Sequence, residues 1–245
     1  MIELNKIYNE DCLEGMKRIP DKSVDMILCD LPYGTTARNK WDCIISYENL
    51  WEQYNRLIKD NGAILLFSQL PFDKTLACSN IEMLRYEWIW RKQQGTGHLN
   101  AKKMPMKNHE NILVFYKKLP TYNPQFTKGT PYQCKSGRGS TNYREQSSVI
   151  TKNEGFRYPL SVLEFKSDKG LHPTQKPVAL CEYLIKTYTN EGETVLDNCM
   201  GSGTTAIACI NTNRNFIGFE LDKHYCDIAN ELIRKALAEK EVAND

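Results

Sequence analysis

The feature that most constrains the fold of this chain is a glycine-rich turn between a predicted strand and a predicted helix. An apolar strand at residues 194–196 runs into Asp197, and the turn Gly201-Ser202-Gly203 leads into a helical segment at 204–210. The next strand, 216–220, ends in the acid Glu220. Consecutive strands joined by a crossover helix form a right-handed parallel unit, and ligands bind at the carboxyl edge of such sheets. The segment therefore predicts a parallel sheet with a nucleotide-type ligand above this turn.

The rest of the chain repeats the alternation of strands and helices. Further strands are predicted at 23–29, 63–67, 86–90 and 111–116, and further helices at 47–59, 178–188 and 224–239. The Asn61-Gly62 pair is expected to end the helix at 47–59. This order of elements predicts an α/β protein with a doubly wound, mainly parallel sheet.

Residues 119–170 differ in composition from the segments on either side. Pro, Gly, Ser, Thr, Asn and Gln dominate there, and the apolar periodicity is lost. We therefore expect a body made of residues 1–118 and 171–245, with an insert at 119–170. The insert is either an ordered recognition element or a mobile loop.

Charge is distributed unevenly along the chain. The net charge is +2, yet residues 85–152 contain thirteen Lys and Arg against three Asp and Glu. This segment therefore carries +10 and the remainder −8. A basic segment on an acidic body indicates a surface for a polyanion, although a solvated lysine-rich loop is the alternative.

Composition excludes several other classes of protein. No apolar run approaches the ~18 residues of a membrane span, and the first residues lack a signal-peptide core, so a cytoplasmic location without membrane contact is expected. The nine cysteines form no Cys-x-x-Cys pair and the four histidines show no ligand spacing. We therefore expect no metal site and no disulfide framework.

The glycine turn has the chemistry of a cofactor loop. Gly201 and Gly203 permit positive φ and a close approach to a ligand, and Glu220 can accept ribose hydroxyls. The third glycine of a dinucleotide pattern is replaced by Ala206, and no lysine follows Gly203 as a P-loop requires. Asp197 would repel a pyrophosphate but suits an ammonium, which favours S-adenosylmethionine over NAD. A purely structural turn remains the alternative.

A second motif, Asp30-Leu31-Pro32-Tyr33, follows the apolar run 24–29. The exocyclic amine of adenine or cytosine is a poor nucleophile because its lone pair is delocalised into the ring. The Asp30 carboxylate and the Leu31 carbonyl could accept its two hydrogens and favour a tetrahedral nitrogen. Pro32 would stiffen the turn, and Tyr33 would offer a ring for stacking. In isolation such a motif is also common in ordinary turns.

The order of these motifs resembles the amino-group DNA methyltransferases of the permuted beta class, in which the catalytic motif precedes the cofactor motif. Residues 9–13 and 172–177 also match the family pattern, as does Phe219-Glu220 followed by Tyr225 and Ala229. Two departures are present. Leu31 replaces the first proline of the usual Asp-Pro-Pro-Tyr, and residues 198–200 replace the usual Pro-Phe-x.

The resemblance implies a seven-stranded sheet, base flipping and a role for each matching residue. Asp11 and Cys12 would contact the adenine of the cofactor, and Glu220 its ribose. Lys176 and Asp197 would lie near the methionine end. The cofactor would be wrapped by Gly201, Ser202, Gly203 and Thr204.

The resemblance therefore implies a DNA methyltransferase, and a motif that begins with an acid rather than serine tilts that resemblance toward adenine N6, with cytosine N4 as the alternative. An RNA or protein methyltransferase, an NAD oxidoreductase and a non-catalytic DNA-binding protein are less consistent with the motifs. Homodimer formation and a partner nuclease are left open. Residues of the insert region that could read base edges are Tyr122, Gln125, Tyr132, Gln133, Arg138, Asn142 and Arg144.

Overall fold

The computed structural model describes residues 2–34, 43–135, 139–141, 144–146, 150–167 and 175–244. Arg138, Asn142 and residues 172–174 of the predicted motifs lie outside these ranges, and the side chain of Arg144 is not described. The chain forms two compact units, one of Met1–Asn123 with Ser161–Asp245 and one of Pro124–Leu160. Among the described residues, no helix combines the length and apolar character needed to cross a membrane.

The first unit is built on one large sheet. Its strands are β1 (Lys6–Tyr8), β2 (Val24–Cys29), β3 (Ile58–Ser68), β4 (Leu84–Thr96), β5 (Lys107–Phe115), β12 (Val162–Glu164), β13 (Thr194–Asp197) and β14 (Asn215–Phe219). Its helices are α1 (Cys12–Met16), α2 (Tyr47–Leu57), α3 (Phe72–Ser79), α4 (Val178–Tyr188), α5 (Thr204–Asn211) and α6 (Lys223–Asn244).

The strand order is β1-β14-β13-β2-β3-β5-β4-β12, and β5 alone runs antiparallel to its neighbours in the described sheet. The predicted mainly parallel, doubly wound class is confirmed. The expected count of seven strands is wrong, because the described sheet has eight. The edge strand β12 pairs Leu163 with Trp90, and at three residues it is too short to show a periodic pattern.

Both faces of the sheet are covered by apolar side chains. In β2, Met26 and Leu28 pack into a cluster with α4, α5 and α6, while Ile27 and Cys29 pack into a cluster with α1, α2 and α3. A strand buried on both faces reads as a continuous apolar run rather than an alternating one. This explains why residues 24–29 are almost entirely apolar.

The predicted end of the second helix is wrong. Helix α2 ends at Leu57, and Asn61-Gly62 lies inside β3 instead of after the helix. The β-branched Ile58 pairs with Val24 of β2, so the chain enters the sheet at once. Gly62 is required there because a Cβ at this position would lie 2.7 Å from the backbone oxygen of Asp25.

In its described residues, the second unit contains three antiparallel pairs of short strands. β6 (Thr127–Lys128) pairs with β11 (Phe156–Arg157), β7 (Tyr132–Lys135) with β10 (Ile150–Asn153), and β8 (Gly139–Thr141) with β9 (Arg144–Gln146). Aromatic contacts hold the first pair, since the ring centroids of Phe126 and Tyr158 are 4.8 Å apart. Strands of two to four residues carry no detectable periodicity, which is why the sequence read as irregular.

Candidate functional site: a cofactor cavity beside the acidic motif

A cavity of about 460 Å³ opens at the carboxyl ends of the central strands. Asp30 directly follows β2, Asn198 follows β13 and Glu220 follows β14, and these strands are adjacent in the order β14-β13-β2. The predicted site residues that line the cavity are Asp11, Cys12, Asp30, Leu31, Pro32, Tyr33, Lys176, Asp197, Gly201, Ser202, Thr204 and Glu220. The two motifs, more than 160 residues apart in sequence, therefore share one cavity.

The two glycines of the loop serve different purposes. Gly201 has φ +55°, lines the cavity, and has open space where a Cβ would project. Gly203 has φ +89°, does not line the cavity, and would place a Cβ 3.0 Å from the Cβ of Ala229 in α6. Gly201 thus keeps space for a ligand, whereas Gly203 lets α5 begin against α6.

Glu220 is fixed by the same loop. Its Oε2 accepts a hydrogen bond from the Gly201 amide at 2.7 Å, and its Oε1 accepts one from the Asp222 amide at 2.8 Å. Burial raises the pKa of Glu220 above its ordinary value, although these amides oppose the shift. Each carboxylate oxygen keeps a second lone pair, so the side chain can still accept hydroxyl hydrogens.

Asp197 is almost fully buried and organises the start of the loop. Its Oδ1 accepts from the Cys199 amide at 3.0 Å and its Oδ2 from the Thr205 hydroxyl at 2.6 Å. Burial outweighs these hydrogen bonds and raises the pKa of Asp197 to about 6. The side chain also lines the cavity, where a cationic ligand would stabilise its charged form.

Asp11 and Cys12 stand at the start of α1. Asp11 caps the helix by accepting from the amides of Leu13 and Glu14 at 2.8 and 3.2 Å. Its role in the local fold is therefore clear, and its place on the cavity wall makes it available to a ligand as well.

Asn198 is a site residue whose role the sequence did not reveal. Its side-chain amide donates toward the Sγ of Cys12 at 3.6 Å, and its oxygen accepts from the buried Tyr54 hydroxyl. The residue thus ties the cofactor loop to α1 and α2. These polar contacts stand at the position where this chain departs from the Pro-Phe-x expected from the resemblance.

The acidic motif is preorganised around Asp30. The Tyr33 hydroxyl donates to Asp30 Oδ1 at 2.7 Å, and Lys176 Nζ donates to Asp30 Oδ2. Leu31 is buried in the apolar cluster that the sheet forms with α1, α2 and α3. The centroid of the Tyr33 ring lies 5.0 Å from that of Phe72. Burial, together with the charge of Asp30, raises the pKa of Tyr33 well above its ordinary value, so its hydroxyl stays protonated and donates.

Lys176 links this motif to a second acid that sequence reasoning missed. Its Nζ is 3.3 Å from Oε2 of the buried Glu110, whose Oε1 contacts Lys92. Glu110 also lines the cavity. The signal available in the sequence was an acid directly before the apolar run 111–116, one of only three acids in the basic segment 85–152.

Comparison with known proteins agrees with this arrangement. A family model described as DNA methylase, of the N6 and N4 type, matches residues 24–231. The type II methyltransferase M1.MboII of Moraxella bovis is 30% identical over 96% of this chain and 98% of its own length. The DNA adenine methyltransferase YhdJ of Escherichia coli is 29% identical over 91% of this chain and 80% of its own.

A solved structure, an M1.HpyAVI–SAM complex, has a TM-score of 0.63 and 27% identity over 92% of this chain and 98% of that one. These matches confirm the resemblance inferred from the order of the motifs. From its motifs, its fold and these relatives, the chain belongs to the N6/N4 DNA methylase family.

Proposed function

We propose that this protein transfers a methyl group from S-adenosylmethionine to the exocyclic N6 of adenine in DNA. The observation that carries the proposal is the convergence of the cofactor loop and the Asp30 motif on one cavity. Family membership supports DNA as the substrate, and the name of YhdJ, a DNA adenine methyltransferase, favours adenine over cytosine N4.

The cavity residues fit S-adenosylmethionine, which supplies an electrophilic methyl group on a sulfonium when it is bound. Gly201 leaves room at the loop, Glu220 can receive the ribose hydroxyls, and Asp197 suits a cationic methionine end. We propose that Asp11 and Cys12, which also line the cavity, flank the adenine end.

The residues of the acidic motif would hold the target amine. The Asp30 carboxylate and the Leu31 carbonyl would accept its hydrogens, which directs the nitrogen lone pair toward the methyl group. Such alignment in a preorganised polar site supplies much of the rate enhancement in a transfer of this kind. The rings of Tyr33 and Phe67 line the same cavity and would enclose a flipped base.

The compact unit Pro124–Leu160, within the predicted insert 119–170, is proposed as the target-recognition element. Its exposed lysines, among them Lys128 and Lys135, would bind phosphates. Tyr132 and Gln133 are exposed side chains of the same unit that could meet base edges. Because the relatives are bacterial methyltransferases, we propose a cytoplasmic location.

The product of the reaction tests the proposal. Purified protein is incubated with methyl-labelled S-adenosylmethionine and mixed-sequence DNA, and the DNA is digested to nucleosides. Label in N6-methyladenine is expected. Label in N4-methylcytosine instead would support the alternative base, and no label in DNA, with the cofactor bound, would contradict the proposed activity.

A further inference from the structure

The catalytic cavity contains a further carboxylate, Glu110, that belongs to neither the cofactor loop nor the acidic motif. It lies in β5 opposite Trp90 of β4, and it lines the same cavity as Asp30. The side chain is buried, with 7% of the residue exposed. Buried carboxylates are rare and costly unless they are paired, so this one needs a physical explanation.

The charges around Glu110 alternate along a short chain. Asp30 contacts Lys176, Lys176 lies 3.3 Å from Glu110 Oε2, and Glu110 Oε1 contacts Lys92. Two carboxylates therefore face two ammonium groups, and the set is neutral. The carboxylates of Asp30 and Glu110 raise the pKa of Lys176 although burial opposes them. Burial likewise opposes the two lysines, but their charges lower the pKa of Glu110, so Lys176 and Glu110 both stay charged at neutral pH.

Within the described part of the chain, one oxygen atom in this row of charged side chains lacks a hydrogen bond. Glu110 Oε2 accepts no hydrogen bond from the described residues, even though the Lys176 ammonium is within ion-pair distance. The ammonium has three hydrogens and directs one to Asp30. The rings of Phe67 and Tyr33 lie 5.2 and 5.8 Å from Lys176 Nζ. A shift of about 0.5 Å toward Glu110 would bring the pair to the ~2.8 Å of a charge-assisted hydrogen bond.

Each oxygen of Asp30 keeps a second lone pair for a neutral amine, and such a shift would strengthen the hydrogen bond that the amine receives. Both of its oxygens are already engaged, one by the Tyr33 hydroxyl and one by Lys176. An ammonium competes strongly with a neutral N–H donor for the same carboxylate oxygen. Moving the ammonium away would leave Asp30 a stronger acceptor for the incoming amine.

We propose that Glu110 is a positioning residue that receives Lys176 when the target amine binds Asp30. The ammonium moves from Asp30 Oδ2 toward Glu110 Oε2, no proton is transferred, and the net charge of the site does not change. This inference rests on the proposed methyl transfer and assigns a further residue to it. Lys92 keeps Glu110 ionised and in place through the contact with Oε1.

The first test is Glu110→Gln, which keeps the size of the side chain and removes its charge. The methyl-transfer rate at saturating DNA and cofactor should fall about tenfold or more, equivalent to one charge-assisted hydrogen bond. The Kd for S-adenosylmethionine and the KM for DNA should stay within about twofold. The matched control is Glu164→Gln, which removes an exposed carboxylate paired with Arg91 on the neighbouring strand and should keep the full rate.

A double-mutant cycle separates positioning from a structural role. If Glu110 acts through Lys176, then Lys176→Met/Glu110→Gln should be no slower than Lys176→Met alone, whereas multiplied losses would overturn the proposal. If Glu110→Gln folds poorly, the paired variant Lys92→Met/Glu110→Gln replaces it, because it leaves no lysine without a carboxylate partner. This variant should show the loss of rate predicted above for Glu110→Gln.

The outcomes also separate this inference from the function on which it rests. A wild-type protein that methylates DNA, combined with a fully active Glu110→Gln, would overturn the role of Glu110 and leave the proposed function intact. A wild-type protein that methylates no DNA would overturn the proposed function itself.

Discussion

Alanine substitution at the two loop glycines should affect different properties: mainly stability at Gly203 and mainly cofactor affinity at Gly201. Both have positive φ, so an alanine at either position carries a backbone penalty of about 1–2 kcal/mol. Only at Gly203 does the new methyl group meet neighbours, at 3.0 and 3.2 Å from Cβ and Cα of Ala229. Overpacking of this kind costs about 1–3 kcal/mol more. Gly203→Ala should therefore lower the free energy of unfolding by about 2–5 kcal/mol, and Gly201→Ala by about 1–2.

Cofactor binding should show the reverse order. Gly201 lines the cavity and has open space where the new methyl group would stand, so Gly201→Ala is expected to lower the affinity for S-adenosylmethionine. Folded Gly203→Ala should bind the cofactor nearly as well as wild type. Urea unfolding gives the stabilities, and titration calorimetry gives the affinities. Equal destabilisation by the two variants, or a weaker cofactor affinity in Gly203→Ala than in Gly201→Ala, would refute the separate roles assigned to the glycines.

Three other expectations follow from the same structure. Because the pKa of Asp197 is raised to about 6 from an ordinary 3.8, the folded state binds this proton more tightly, and the contribution of Asp197 to stability should fall as pH rises from about 4 to 6. Asp197→Asn should remove up to about 3 kcal/mol of that fall, measured by urea unfolding across this range. Asn198→Ala leaves the buried Tyr54 hydroxyl without its acceptor and should cost about 1–3 kcal/mol of stability. The double variant Lys128→Ala/Lys135→Ala should reduce the magnitude of the slope of log K for DNA binding against log salt concentration by about 2.

Each of these expectations has a control. Stability that falls equally with pH in wild type and Asp197→Asn would contradict the assigned pKa. Adding Tyr54→Phe to Asn198→Ala removes the orphaned hydroxyl and should restore part of the loss. Lys235→Ala changes an exposed lysine of α6 paired with Glu231 and should leave the salt slope unchanged. An unchanged slope in the double lysine variant would remove those two residues from the DNA interface.

The convergence of the two motifs could be predicted because it depends on topology. Parallel strands in one sheet present their carboxyl ends at one edge, so an acid after residue 29 and a glycine loop after 197 should meet there. The structure places them on one cavity because β2 and β13 are neighbours. Residue types at strand ends therefore carried most of the information about the site.

Features that depend on contacts between distant strands could not be predicted in this way. Gly62 was expected to end a helix, yet it lies inside β3. The close approach of the Asp25 backbone is the reason that a glycine is needed there. The edge strand β12 is defined by its pairing with β4, which lies far earlier in the chain. The roles of Glu110 and Asn198 depend on Lys176 and Tyr54, which come from far along the chain. The local sequence around Glu110 and Asn198 does not reveal these distant partners.

The central claim is that the Asp30 carboxylate holds the target amine in a cavity it shares with the cofactor. The most direct test is a single-turnover assay of Asp30→Asn with labelled S-adenosylmethionine and DNA, alongside calorimetry of cofactor binding. The account predicts that the transfer rate falls about 100-fold or more while the Kd for the cofactor changes by less than about threefold. Transfer at the wild-type rate, or a loss of cofactor binding equal to the loss of rate, would contradict it.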